Sequence, residues 1–125
     1  SSVPIFYFFY YNTKLIMEIP NKFDILNERI NAFILQLNEE YGSENLSYSC
    51  EKLIKRYRIN MYNYGNTSAY GFIDMEGNIY KAATWKTPAK GIRGNVFNEN
   101  PLQGCTKWGV QYSTPGRKPF KTDKL

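Results

Sequence analysis

Between Asp24 and Tyr41 apolar side chains return every three or four residues, at Leu26, Ile30, Phe33, Ile34, Leu37 and Tyr41. That spacing lines one side of an α-helix. Asn27, Glu28, Asn31, Asn38 and Glu39 occupy much of the other side. Asp24 is placed to cap the helix, with Glu28 near its first turn. Gly42 stands where a left-handed C-cap falls. A stripe of this width needs a flat surface to cover.

The period then changes. Around Lys55–Tyr62, Tyr57, Ile59 and Met61 alternate with Arg56, Arg58 and Asn60, the pattern of a half-buried strand. Tyr64-Gly65-Asn66 interrupts it, and Ala69–Asp74 reads as a second strand. Met75-Glu76-Gly77-Asn78 is a tight turn with glycine where a positive φ is cheap. Ile79–Thr84 returns as the partner strand, and Trp108–Ser113 reads as a last one. The expected fold is α+β: a small, mainly antiparallel sheet of three to five strands, with one long amphipathic helix packed on one face. A chain of 125 residues without internal repeats fits one domain.

The two ends differ from the middle. Residues 1–16, SSVPIFYFFYYNTKLI, carry a dense aromatic run before Met17 opens a segment that reads like a protein start. The run is too short to span a bilayer and lacks the basic leading region of a signal peptide. It is read as an upstream-translated extension, the alternative being an added edge strand. The domain is placed at 17–113. Residues 114–125, TPGRKPFKTDKL, show no apolar periodicity and are read as a flexible basic tail.

Charge is unevenly placed. Residues 1–76 hold 7 Lys/Arg against 9 Asp/Glu, while residues 77–125 hold 9 against 2. A basic half beside a near-neutral one points to a surface for phosphate or another polyanion. The chain has no histidine, so the commonest general base and metal ligand are missing. No paired carboxylates or nucleotide-binding glycine loop stand out. An enzyme is therefore not expected, and neither is a metal or other cofactor. Cys50 and Cys105 are too few for a zinc site; they are read as two reduced thiols, with one disulfide as the alternative.

The basic half centres on Lys81–Asn95, KAATWKTPAKGIRGN, with four cations and no acid. A helical turn beginning at Pro88 would bring Lys90 and Arg93 to one face. Its free N–H groups, with Lys86, would then make an anion site. Trp85 is either a core residue at the strand exit or a flat surface for a base. The expected binding residues are Lys81, Trp85, Lys86, Lys90, Arg93 and Asn95, joined by Arg56 and Arg58 from the strand.

The block KAATWKTPAKGIRGNVF, preceded by GFIDMEGNIY, resembles a family of small uncharacterised proteins of tailed bacteriophages. Its pattern there is K-A-A-[ST]-W-x-x-P-A-K-x-x-R-[GF]-N. The likeness covers about Gly71–Phe97 and departs in the hairpin, where two residues separate Asp74 from Gly77. It implies a phage-encoded accessory protein in the cytoplasm of an infected host, and it implies no activity. The residues themselves point to nucleic acid as the partner. A nucleotide is the first alternative, as in a protein that sequesters a host cyclic-nucleotide signal. A host protein, bound by an inhibitor module, is the second. A homo-oligomer fits a shared pocket, and no membrane partner is expected.

Overall fold

In a computed structural model, which describes residues 21–111 and the backbone of residues 8–11 and 14–17, the apolar stripe forms helix α1, Lys22–Tyr41. The cap is Asn21 rather than the expected Asp24. Asn21 is extended, and its Oδ1 accepts the Asp24 N–H at 2.8 Å. Asp24 lies inside the first turn instead, where its charge complements the helix dipole. Leu26, Ile30, Phe33 and Leu37 are buried, and Ile34 and Tyr41 pack at the margin of the core. Gly42 ends the helix in an extended conformation, φ −68° and ψ 154°, not the expected left-handed one. Glycine is needed there for room, because a Cβ would run into the Asn38 carbonyl oxygen.

Phe8–Tyr11 (β1) and Lys14–Met17 (β2) pair antiparallel with each other as a two-stranded sheet, Phe8 opposite Met17. This hairpin crosses the boundary set at residue 16. The main sheet has five strands: Leu46–Lys52 (β3), Arg56–Asn63 (β4), Asn66–Asp74 (β5), Asn78–Lys81 (β6) and Gly94–Asn95 (β7). They lie in the order β3-β4-β5-β6-β7, and every neighbouring pair is antiparallel. The fold is therefore α+β. The tail expected at 114–125 lies outside the described residues.

One sheet face is closed by α1. Tyr48, Tyr57, Ile59, Met61, Ile73 and Ile79 meet the helix stripe in one core with Val96 and Val110. A fully buried side chain of this kind stabilises by about 1.5–3 kcal/mol. Between β4 and β5, Ile59 faces Gly71 but Asn60 faces Ala69. Tyr70 is thus the extra residue of a bulge, and its ring joins the core edge-on to Tyr48, centroids 5.3 Å apart.

β3 is not among the strands that the residue pattern predicts, and β6 ends at Lys81, three residues short of the expected Thr84. A strand is also expected at Trp108–Ser113. Its described part, 108–111, is a tight loop end closed by a Cys105–Val110 bridge. Thr106 Oγ1 captures the Trp108 and Gly109 N–H groups. Tyr70 and Tyr48 donate to the Thr106 and Lys107 carbonyls at 2.6 and 2.5 Å. These local bonds compete with a strand ladder and win. The turn after Asp74 is as expected: Gly77 has φ +88°, and the Asp74 carboxylate accepts the Glu76 and Asn78 N–H groups.

The outer edge of β3 is blunted from the helix. Asn38 Oδ1 accepts the Tyr48 N–H at 2.9 Å, and its Nδ2 donates to the Tyr48 carbonyl at 3.0 Å. One amide side chain thus replaces a neighbouring strand's peptide, where a bare edge would invite another chain. Asn38→Ala leaves both groups unpaired and is expected to cost about 1–3 kcal/mol. Urea unfolding reads the loss. Sedimentation at rising concentration reads any association through the uncovered edge.

Candidate functional site

The sheet face away from α1 carries the second set of alternating residues. Register places Glu51, Arg58, Phe72 and Tyr80 in one row across β3 to β6. Ser49 and Asn60 form the next row, and Ser47 and Tyr62 the one beyond. Arg58 is only 7% exposed. Its Nη2 donates to Glu51 Oε1 at 2.7 Å, and its Nε to Asn60 Oδ1 at 2.9 Å. Asn60 Nδ2 reaches Glu51 and the Tyr62 hydroxyl, and Ser49 also donates to that hydroxyl at 3.1 Å. Bonds from Asn60 and Arg58, with the Arg58 charge, hold the Glu51 carboxyl below its ordinary pKa.

Trp85 closes this network from above. Its ring lies over the Arg58 guanidinium, 3.8 Å from carbon to centroid, and its carbonyl accepts from Arg58 Nη1 at 3.3 Å. The ring remains 42% exposed, so Trp85 is not a core residue. It is set at the tip of a turn built by two threonines. Thr84 Oγ1 accepts the Lys86 and Thr87 N–H groups and contacts Thr87 Oγ1 at 2.8 Å. The Ala83 and Thr84 N–H groups both donate to the Thr87 carbonyl. An Ala82–Pro88 bridge closes the base of the turn. Lys86, beside Trp85 at the tip, is exposed.

The helical turn expected from Pro88 does not form. Pro88 is engaged in the bridge, and the Ala89 N–H donates to the Lys81 carbonyl at 2.7 Å. Lys90 is exposed, but Arg93 turns inward and is 6% exposed. Its Nε donates to the Gln111 carbonyl at 2.9 Å, and its Nη1 to the Lys90 and Gly91 carbonyls at 2.7 and 2.6 Å. The two residues therefore do not share a face, and the Arg93 guanidinium fastens the loop. Lys81 donates to the Val110 carbonyl at 3.0 Å; burial, then the Arg93 charge, lower its pKa. Asn95, the last residue of β7, is buried and bonded to the Glu76 carbonyl, Asn78 Oδ1 and the Phe97 N–H. Arg56 sits half-buried at the start of β4, opposite Asp74.

Of the residues singled out in sequence, the structure joins Trp85 to Arg58 and leaves Lys86, next to Trp85 in the turn, and Lys90, further along the loop, exposed. It takes Lys81, Arg93 and Asn95 into the scaffold. Glu51, Asn60 and Tyr62 were missed. The alternation of β4 already put Asn60 and Tyr62 on the Arg58 face, whereas Glu51 needed β3. Cys50 is half-buried, Cys105 is buried, and both are free. Among the described residues no three Cys, Asp or Glu side chains gather to hold a metal ion. No helix there is long and apolar enough to cross a membrane.

Residues 9–113 match the model of a family of unknown function, DUF7717. The chain belongs to that family. The match takes in the hairpin from its second residue, α1, the five-stranded sheet and the whole Trp85 loop. No curated protein and no solved structure matches the chain.

Proposed function

We propose that this DUF7717 protein is an accessory protein that binds nucleic acid on the open sheet face, with Trp85 as its base-stacking surface. The supporting observation is the half-exposed Trp85 ring, seated on a buried arginine whose three nitrogens each donate a hydrogen bond. A surface tryptophan with one face occupied this way loses little freedom on binding, so its other face is ready for a base. Glu51 neutralises Arg58, so attraction to phosphate falls to the exposed Lys86 and Lys90, with Arg56 at the strand end. The face has the elements of a binding surface, and the chain has no histidine for proton transfer; the reading is therefore binding rather than catalysis. We infer an infected bacterial host as the setting, a reading that rests on the resemblance of Gly71–Phe97 to phage proteins.

The test is anisotropy of a labelled single-stranded oligonucleotide titrated with the full chain. Trp85→Ala should stay folded by circular dichroism and lose about 1–3 kcal/mol of binding. The Lys86→Ala, Lys90→Ala pair should flatten the slope of log affinity against log salt by about 0.7 per lost contact on a single strand. Binding of a cyclic dinucleotide in place of the oligonucleotide would move the function to a nucleotide sink. Unchanged affinity in all these variants would refute the assignment of this face.

A further inference from the structure

The open face does not end at Trp85. Four residues along β4, on the same side, stands Tyr62, reached from Arg58 through Asn60. Beyond it lies a surface hollow of about 380 Å³ lined by Glu44, Asn45, Ser47, Tyr62, Tyr64 and Gly65. Tyr62 and Tyr64 are both exposed there, Tyr64 by 75%.

Tyr64 is also costly where it stands. Tyr64 and Gly65 form the two-residue loop between β4 and β5, with Asn63 opposite Asn66. Their φ values are +49° and +83°. A two-residue loop with both φ positive favours Asn-Gly, and a bulky side chain in the first place is a genuine outlier. The exposed ring adds nothing to the core that would offset this. Residues held against local preference in this manner cluster at binding sites.

We infer that this hollow is a second base subsite, so that the ligand of the open face is an unpaired strand running along β4 from Trp85 to the Tyr62–Tyr64 hollow. The inference rests on the nucleic-acid reading above and adds the strand's form and path. From Arg58, beneath Trp85, to Tyr62 at the rim of the hollow, four residues of β4 span about 13 Å, which a strand covers in about four nucleotides at a stacked spacing of about 3.4 Å and in fewer where its bases are splayed apart. Paired bases are stacked on each other and cannot present their faces to both Trp85 and the tyrosines. The charge pattern agrees with this path. Phosphates pass Lys86 beside Trp85, while Glu44 in the hollow can only accept, as from a base N–H.

The experiment uses the full chain and oligothymidylates of one, two, four, six and eight nucleotides, with a duplex of matched length. Affinity should climb up to about four to six nucleotides and then level, and the duplex should bind more weakly than the six-mer. Tyr64→Asn should keep or raise the thermal midpoint, since asparagine suits the turn. It should weaken the six-mer by about 5- to 150-fold and leave the mononucleotide untouched. A mononucleotide bound as tightly as the six-mer would overturn the second subsite and leave Trp85 as a lone stacking surface. An unchanged six-mer affinity in Tyr64→Asn would do the same. Absence of binding to every oligonucleotide would remove the nucleic-acid reading itself, and the second subsite with it.

Discussion

Replacing Arg93 with alanine is expected to cost the fold about 3–5 kcal/mol, a large part of the roughly 5–15 kcal/mol that holds an ordinary domain together. Its guanidinium is buried and donates to the carbonyls of Lys90, Gly91 and Gln111. Without it those acceptors lose a charge-assisted partner, and the loop after β6 loses its tie to the segment at Val110 and Gln111. Arg93→Lys should recover only part of the loss, because an ammonium cannot reproduce the fork that reaches both sides. Urea midpoints of the two variants measure this. The binding assay separates it from a role in recognition: under conditions where Arg93→Lys remains folded, it should keep oligonucleotide affinity. A stable Arg93→Ala protein with lost affinity would instead make Arg93 a phosphate contact.

Stability is also expected to fall by on the order of 5 kcal/mol between about pH 9 and pH 11. Burial pushes the Cys105 thiol up to about 11. Burial, then the Glu51 charge, push Cys50 up to about 12. Burial, then Tyr41, push Tyr48 up to about 12, and burial raises Tyr70 further, with Cys105 adding to it. These groups are neutral acids whose pKa is higher in the folded chain. The unfolded chain releases their protons first, near 9 for the thiols and 10 for the phenols. Their contribution is whole below those values and drains away as pH rises toward the folded ones. Each proton is worth about 1.4 kcal/mol per pH unit across its window. Lys81 acts in the opposite sense, since burial lowers its pKa. Urea unfolding at pH 8, 9, 10 and 10.5 should give a steepening decline. A flat profile would mean that the Tyr48–Tyr70–Cys105 cluster is open to water.

The same residues explain how far reading along the chain could go. Hydrophobic period is a local signal, and where one face is buried it is written in consecutive residues. The stripe from Leu26 to Leu37, the alternation of Tyr57, Ile59 and Met61, and the Gly77 turn were all legible for that reason. β3 was not, because its buried Leu46 and Tyr48 and half-buried Cys50 alternate with two serines and Glu51, a weak contrast. The Trp108 strand failed for a different reason: Thr106 and the buried tyrosines bind that segment's backbone from within and from afar.

The sequence alone determined which side chains are apolar at which period, and with them the α+β class, the long helix and an antiparallel sheet. It also determined that the second half of the chain is basic. Only the tertiary structure decided which cations remain available. Lys86, Lys90 and Arg93 stand close together in the chain, yet the loop's own carbonyls draw Arg93 inward, because a buried carbonyl must find a donor. Trp85 and Arg58, 27 residues apart, are stacked because the hairpins fold β4 beneath the Trp85 turn. That contact is long-range, and neither residue's neighbours in sequence encode it.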